Sequence, residues 1–152
     1  MKNLLFYSLV LVFLSCSKNN DEITNVFIRS QEDLDEYMKD NKGKSVLKNN
    51  IFLEPEIGNK VLDLSALEKI IKINGGLRIS RFKVNINLSQ LKNLEEVRSL
   101  TIEDCPGLVS ISLPNLKNVE DIHISRNEQL KSLELKSVSK CKDVLMFENL
   151  NL

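Results

Sequence analysis

The chain has 152 residues, of which 42% are apolar, so it can form one domain of ordinary size with its own core. Lys and Arg together number 21, and Asp and Glu also number 21, which gives a formal net charge of zero. A chain without net charge has no overall field that attracts nucleic acid, and we expect no nucleic-acid partner.

Residues 1–15 have the features of an export signal. Lys2 gives a positive start, and an apolar run interrupted only by Ser8 extends from Leu4 to Leu14. This run is too short to cross a bilayer as a helix, which needs about 20 residues, but it suits the apolar region of a signal peptide. We therefore predict that these residues are a signal peptide and are not part of the folded domain.

The apolar run ends at Ser15-Cys16, which resembles the bacterial lipobox, although Phe13 stands where many lipoboxes have leucine. The resemblance implies that the Cys16 thiol receives a diacylglyceryl group. Cleavage then makes Cys16 the N-terminus, which is acylated with a fatty acid such as palmitate. Each buried methylene adds about 0.8 kcal/mol of membrane affinity, so two or three acyl chains form a firm anchor. We expect no cofactor other than this covalent lipid. The alternative is an ordinary secretory signal with an incidental cysteine.

Residues 16–25 are predicted to form a lipidated tether. Within them, Lys18 is followed by Asp21 and Glu22, a pattern that resembles the surface-export signal of Bacteroidota-type lipoproteins. The resemblance implies a location at the outer membrane, with the folded part facing the cell exterior. The alternative is that these residues are only a solvated tether.

Residues 26–50 are predicted to form an N-terminal cap of one strand and one short helix. Residues 26–28 are apolar, and Ser30 is a favourable helix N-cap because its hydroxyl can accept a hydrogen bond from a free backbone N–H. Acidic residues follow at the positive end of the helix dipole, and Gly43 is a plausible stop. The apolar face of this helix consists of Leu34, Tyr37 and Met38. A stack of repeats needs such a cover over its first turn.

Apolar residues recur at a fixed spacing in residues 51–152, and this is the most informative feature of the sequence. A step of 22 residues from the segment 108–127 aligns eight positions without a gap, and seven of the eight pairs are apolar on both sides. The pairs are Leu108/Leu130, Ile111/Leu133, Leu113/Leu135, Leu116/Val138, Val119/Cys141, Ile122/Val144, Ile124/Met146 and Asn127/Asn149.

The spacing continues toward the N-terminus with one or two single-residue slips, and Gly75-Gly76 absorbs one extra residue. The matching positions are Leu94, Val97, Leu100 and Ile102, then Ile70, Ile73, Leu77 and Ile79, and in an earlier degenerate repeat Ile51, Leu53 and Ile57. One repeat is too small to bury its own apolar side. Stacking of about four repeats and a partial fifth is therefore predicted to form a parallel sheet over a shared core.

Polar residues are expected to support the turn after each predicted strand. Asn127 and Asn149 fall at this turn, where an amide side chain can pair with backbone groups that the bend leaves free. Cys105 occupies the same position in its repeat, and Phe82 occupies it in the repeat before.

Three segments look like the receptor L-domain type of leucine-rich repeat, namely 75–79, 113–116 and 127–133. The resemblance covers roughly residues 57–152, with Glu120-Asp121 standing where the family often has Gly-Gly. It implies a right-handed β-helical solenoid used in extracellular recognition, and many bacterial members are surface lipoproteins. The fold class we predict is α/β in the sense of a mostly-β leucine-rich solenoid, residues 51–152, with one short N-terminal capping helix.

The sequence predicts a non-catalytic protein. His123 is the only histidine, and it lies between two residues predicted to point inward, so we expect it to point outward. A serine or cysteine nucleophile would have only this one base. The sequence contains no G-x-S-x-G, no phosphate-binding glycine loop and no H-E-x-x-H.

The remaining cysteines and carboxylates do not predict a metal site. Cys105 and Cys141 occupy different positions in the repeat, so we expect two buried free thiols and no disulfide, which needs Cα atoms within about 7 Å. With one histidine they make a poor zinc site, and no calcium-ligand spacing is recognisable. We interpret three carboxylate pairs as solvated charge at turns, namely Glu95-Glu96, Glu103-Asp104 and Glu120-Asp121.

The outward-facing side of the predicted sheet is the best candidate for ligand binding. Its side chains are chemically mixed, so packing does not dictate them, and repeat proteins often bind partners on such a surface. The candidate residues are Arg78, Thr101, His123 and Leu145, with Ser80, Glu103, Ser125 and Phe147 alongside. Leu145 and Phe147 are expected to be exposed, with the alternative that they cover an unfinished edge.

Together these features predict a lipid-anchored cell-surface module that recognises a protein or a glycan. The alternative is a structural cell-envelope lipoprotein with no soluble ligand. The last predicted strand leaves an uncapped parallel edge, for which we consider two hypotheses. Either a second copy covers the edge as an edge-to-edge homodimer, or the chain is shorter than its longer relatives.

Overall fold

The computed structural model describes residues 23–56 and 61–152. The predicted signal peptide, the lipidation site Cys16, most of the tether, and Ile57 of the degenerate repeat lie outside these residues. Within the described residues, no helix has the length and apolar character needed to cross a membrane.

The described parts of the chain are mainly strands, with one α-helix and two short 3-10 helices. In chain order the elements are β1 (Asn25–Ile28), α1 (Gln31–Asp40), β2 (Val46–Leu47), β3 (Asn50–Leu53), a first 3-10 helix (Leu64–Leu67), β4 (Lys72–Ser80), a second 3-10 helix (Leu88–Leu91), β5 (Glu96–Glu103), β6 (Ser110–Ser112), β7 (Asn118–Ser125), β8 (Ser132–Glu134) and β9 (Asp143–Phe147). The prediction of a mostly-β fold with one short helix is confirmed.

Helix α1 begins where the sequence predicts, because Ser30 and Asp33 form a reciprocal cap. The Asp33 N–H donates to Ser30 Oγ at 3.1 Å, and the Ser30 N–H donates to Asp33 Oδ2 at 3.0 Å. Leu34 is fully buried, and its helical neighbours Tyr37 and Met38 pack against the same core. The helix ends at Asp40, and Gly43 adopts a φ of 78° in the turn that follows.

The main sheet has seven parallel strands in the order β1-β3-β4-β5-β7-β9, and β2 pairs with β4. Its register follows the sequence repeat. Leu100 of β5 lies beside Ile122 of β7, and Ile122 lies beside Val144 of β9, each 22 residues further along the chain. On the other side, Leu77 of β4 lies beside Leu100, and Ile51 of β3 lies beside Leu77. The predicted alignment of these apolar positions is confirmed.

Two adjacent glycines explain the extra residue in the β4 repeat. The register between β4 and β5 shifts between Ile73 and Gly76. A Cβ atom at Gly75 would lie 2.5 Å from the backbone oxygen of Asn49, and one at Gly76 would lie 2.6 Å from Ser99 Oγ. Only glycine permits such close approaches, so the irregularity fits between its neighbours without displacing them.

The core lies under the inner face of the main sheet. Leu77, Leu100 and Ile122 are buried there, and each such side chain contributes roughly 1.5–3 kcal/mol when it is removed from water. The two 3-10 helices supply buried leucines to the same cluster, namely Leu64, Leu67, Leu88 and Leu91. The smaller sheet pairs β6 with β8, with Ile111 beside Leu133.

The last repeat is covered less well than those before it. Val144 and Met146 are 60% and 45% exposed, although the matching residues of β7, Ile122 and Ile124, are buried. Among the described residues, no strand pairs with the far side of β9, and this accounts for the difference.

Asparagine side chains connect the turns that follow the strands, as predicted. Asn127 is fully buried; its Oδ1 accepts from the Cys105 N–H at 3.1 Å, and its Nδ2 donates to the Ile102 carbonyl at 3.0 Å. Asn149 repeats the arrangement one turn later, accepting from the Asn127 N–H at 3.2 Å and donating to the Ile124 carbonyl at 2.9 Å. Backbone groups at these bends are therefore satisfied by an amide from the next turn.

We predict that Asn127→Ala lowers the free energy of unfolding by about 2–4 kcal/mol, because it leaves a buried N–H and a buried carbonyl without partners. Chemical denaturation measures the change. The matched control is Asn115→Ala, whose amide donates to the Lys92 carbonyl at 2.8 Å in an exposed position and should cost less than about 1 kcal/mol. Equal losses in the two variants would contradict a special role for the buried amide.

Candidate functional site

The predicted ligand-binding residues form two rows across the outer face of the main sheet. The register aligns the first row, Arg78, Thr101, His123 and Leu145, across β4, β5, β7 and β9. It also aligns the second row, Ser80, Glu103, Ser125 and Phe147, at the carboxyl ends of the same strands. The sequence-based grouping of these residues on adjacent strands is therefore confirmed.

The two rows differ in exposure, which the sequence did not predict. In the first row Arg78, Thr101 and His123 are half-buried, and Leu145 is 54% exposed. In the second row only Phe147 is exposed. The expectation that Ser80, Glu103 and Ser125 are available on the surface is wrong, because all three side chains are buried.

Glu103 is buried because two arginines from neighbouring strands contact its carboxylate. Arg78 Nη2 pairs with Oε1, and Arg126 Nη2 lies 3.0 Å from Oε2. Ser80 is held in a similar way, since its hydroxyl donates to Glu54 Oε1 at 3.1 Å. The interpretation of Glu103 as solvated turn charge is therefore wrong, since cross-strand charge pairs compensate its removal from water.

Arg126 also binds the neighbouring carboxylate with two hydrogen bonds. Its Nε donates to Asp104 Oδ1 at 2.6 Å, and its Nη2 donates to Oδ2 at 2.9 Å. These hydrogen bonds hold the pKa of Asp104 below its ordinary value. The pair therefore stabilises the fold above the ordinary pKa of aspartate, and this contribution is lost as the pH falls through the lowered pKa.

Phe147 connects the charged residues to the first row. Its ring centroid lies 5.4 Å from that of His123, and the Arg126 guanidinium lies 5.9 Å from the Phe147 ring centroid. The two contacts join an aromatic side chain of β9 to an imidazole and a cation at the end of β7. The site therefore combines apolar, aromatic and hydrogen-bonding groups within one small area.

Three buried polar atoms of this face have no hydrogen-bond partner in the described structure. They are Arg78 Nε, His123 Nε2 and Ser125 Oγ. An unsatisfied buried polar group costs about 1–3 kcal/mol. For Arg78 Nε, the Glu54 carboxylate at 3.6 Å offsets part of this cost.

The sequence interpretation missed, as site residues, the charged residues that directly follow β4, β5, β7 and β9. Arg81, Asp104, Arg126 and Glu148 all have positive φ, between 53° and 65°. Their charges alternate in sign from one strand to the next, which permits pairing between neighbours such as Arg126 and Asp104. This alternation at the repeat spacing is the signal that could have identified them.

In the part of the chain that the structure describes, open cavities adjoin the sheet at both ends of its strands. One of about 620 Å³ lies at the carboxyl ends of the strands and is lined by Arg81, Asp104, Arg126 and Leu150, among others. The other, of about 980 Å³, lies at the opposite ends and includes Lys72, Arg98 and Cys141. Neither cavity is lined by the predicted binding residues, but the first includes Arg126, which contacts Glu103 and lies near the Phe147 ring.

The two cysteines of the described residues have different surroundings. Cys105 is a buried free thiol, as predicted, and burial raises its pKa to about 11. Cys141 is also free, but the prediction that it is buried is wrong. It lies in the last repeat, where the neighbouring strand that would cover it is missing among the described residues. No group of three or more His, Cys, Asp or Glu in the described residues is arranged to hold a metal ion.

Comparison with family models, with curated proteins and with solved structures finds no match for this chain.

We predict that Glu103→Gln lowers the free energy of unfolding by about 1–3 kcal/mol, because the neutral amide leaves Arg78 and Arg126 without their shared carboxylate. Thermal or chemical unfolding measures the loss. The control is Glu128→Gln, an exposed carboxylate that lines the cavity at the carboxyl ends of the strands, whose change should stay within about 0.5 kcal/mol. A Glu103→Gln protein as stable as the control would show that the ion pairs contribute nothing.

Proposed function

We propose that this chain is a lipid-anchored protein of the bacterial cell surface that binds a protein or a glycan on the outer face of its main sheet, without catalysis. The observation that carries the proposal is a difference in chemical type between the side chains on the inner face and those on the outer face of the same strands. The inner row repeats apolar residues, Leu77, Leu100 and Ile122, whereas the outer row changes chemical type at each strand. Packing dictates the inner row, so the outer row is free to serve recognition.

The fold we propose is a right-handed leucine-rich solenoid of the receptor L-domain type. The 22-residue recurrence of backbone register and of side-chain contacts supports it, as does the asparagine arrangement at successive turns. Parallel strands joined by crossover connections are right-handed in nearly all known proteins, which supports the handedness. Helix α1 and strand β1 would then act as the N-terminal cap.

The mixed chemistry of the outer face fits a partner with both polar and apolar groups. Arg78, Thr101 and His123 offer hydrogen bonds, and Phe147 offers an exposed ring beside them. A peptide or a sugar ring presents hydrogen-bonding groups next to an apolar surface, and it can use both kinds of contact. The charges here are balanced, so the face does not favour a strongly charged polymer.

The cellular location is proposed from the sequence of residues 1–25. A diacylated or triacylated Cys16 would hold the folded part at the membrane, and Lys18 with Asp21 and Glu22 would direct it outward. A surface location is consistent with a binding role, because it exposes the outer sheet face to molecules outside the cell.

We predict that a triple variant, Arg78→Ala with Thr101→Ala and His123→Ala, loses about tenfold or more of its capture of a ligand, because three hydrogen-bonding groups disappear from the face. A glycan array and photo-cross-linking on intact cells provide the probes. The control triple variant replaces three exposed lysines elsewhere with alanine, namely Lys42, Lys69 and Lys131.

Unchanged capture by the first triple variant, with the fold intact by circular dichroism, would refute this face as the site. If the wild-type protein cross-links only to neighbouring envelope components and retains no glycan, the proposal of a recognition module is wrong, and a structural envelope lipoprotein is favoured instead.

We predict that Cys16→Ser releases the protein from membranes, because no acyl chain can be attached. Membrane fractionation and metabolic labelling with palmitate measure the release. Protease treatment of whole cells tests the orientation, since the wild-type protein should be degraded at the surface. Replacement of Asp21 and Glu22 by alanine should protect it from the protease while leaving lipidation intact; persistent degradation in that variant would contradict their role in export.

A further inference from the structure

Strand β9 presents a free edge in the described structure. The Arg126 N–H donates to the Phe147 carbonyl at 3.2 Å, so the polar groups of Phe147 face β7. Successive residues of a strand alternate in the direction of these groups, so Leu145 also faces β7. Val144 and Met146 therefore direct their backbone N–H and C=O groups away from the sheet, at its open edge.

The side chains of this edge are apolar on both faces of the sheet. Val144, Leu145, Met146 and Phe147 are 60%, 54%, 45% and 37% exposed. Four consecutive exposed apolar residues on an unpaired strand are a site for pairing with another strand. The inner positions of the preceding strand, Ile122 and Ile124, are buried by the packing of a neighbour, which β9 lacks.

The sequence of this edge is complementary to itself in one antiparallel register. With Leu145 opposite Leu145 of a second copy, Val144 lies opposite Met146 of that copy, and both belong to the inner face. In the same register Lys142 lies opposite Glu148 of the second copy, and the two-fold axis forms this oppositely charged pair twice. A register displaced by one residue would place the inner apolar side chains against the outer face.

We propose that two copies of this chain associate through β9, antiparallel, about a two-fold axis at Leu145. The backbone N–H and C=O groups of Val144 then form hydrogen bonds with those of Met146 in the second copy, and the reverse pair forms as well. These hydrogen bonds continue the sheet across the axis. The pairing is isologous and closes after two copies, so the edge is covered without forming a fibre.

Both charged residues are available for this pairing. The Lys142 side chain is 70% exposed, although its Nζ lies 3.2 Å from Glu120 Oε2 within the same chain. Glu148 is exposed in the turn directly after β9. Their contacts across the axis are at the ends of the paired segment, where they specify register more than they add affinity.

The dimer also extends the candidate binding face. Residues directly opposite each other in an antiparallel pair lie on the same face of the sheet, so the outer rows of the two copies become continuous. Phe147 and His123 of each copy then flank one common centre. This consequence rests on the proposed function, whereas the dimer itself does not.

The experiment uses the full-length protein in its membrane, with Cys141→Ser removing the exposed native thiol. Leu145→Cys then places two thiols opposite each other in a pair whose Cα atoms lie about 4.5 Å apart, within the range of a disulfide. We expect mild oxidation to convert most of the protein to a disulfide-linked dimer. The control is Val61→Cys, which is 61% exposed and lies far from β9 in the chain, and it should form no disulfide-linked dimer because the β9 pairing does not bring its thiols together.

A short bismaleimide linker repeats the measurement without requiring disulfide geometry. Cross-linking at Leu145→Cys that is absent, or no greater than at Val61→Cys, with both reagents overturns the proposal. Neither reagent involves the ligand, so failure here leaves the proposed binding function intact, and failure of ligand capture leaves the dimer intact.

A charge exchange tests the register. Lys142→Glu in the Leu145→Cys background should reduce cross-linking about fivefold, because two attractive contacts become repulsive. Glu148→Lys should do the same, and the double variant should recover the original yield. Both residues are exposed, so the fold should be unaffected, which circular dichroism checks. Failure of the double variant to recover would overturn the antiparallel register centred on Leu145.

Discussion

Burial of branched apolar side chains beneath neighbouring parallel strands is the constraint on which this structure depends. A single strand contributes one side chain to each apolar row, such as Leu100 in β5, and cannot shield that side chain from water alone. The residues 22 positions away lie beside it in the sheet and complete the burial. The entropic cost of ordering each strand is therefore offset only when a neighbouring strand is present. The contrast between buried Ile122 and exposed Val144 illustrates the point within a single aligned row.

The positions of the polar groups at the strand ends result from this side-by-side alignment of strands. Neighbouring strands end at the same level in the sheet. An amide side chain that follows one strand can therefore reach the backbone that follows the strand before it, as Asn127 Oδ1 does when it accepts from the Cys105 N–H. The next residue to the N-terminal side adopts positive φ and directs a charged side chain toward the adjacent strand. Glu103 can be buried only because Arg78 and Arg126, from the two neighbouring strands, form ion pairs with its carboxylate. The recurring backbone register thus brings the residues of the candidate site together, although the side chains themselves differ from strand to strand.

Much of the fold could be predicted from the sequence because its determinants are local or periodic. The cap of α1 depends on Ser30 and Asp33 alone, and the register depends on a spacing that can be read directly. The burial of Glu103 could not be predicted, because it depends on side chains from two other strands and not on the alternation within its own. The exposure of Cys141 was missed for a related reason, since the repeat pattern assigns it a covered position. Only the pairing of strands shows that its cover is missing among the described residues.

The burial of Cys105 has a consequence for the chemistry of its thiol. At neutral pH a thiol with a pKa of about 11 is almost entirely protonated, and the reactive species is the thiolate. Oxidants and alkylating agents would therefore meet Cys141 first, and would reach Cys105 only when the surrounding segments open. The rate at which Cys105 becomes labelled reports how often this part of the molecule opens, without the introduction of any foreign probe.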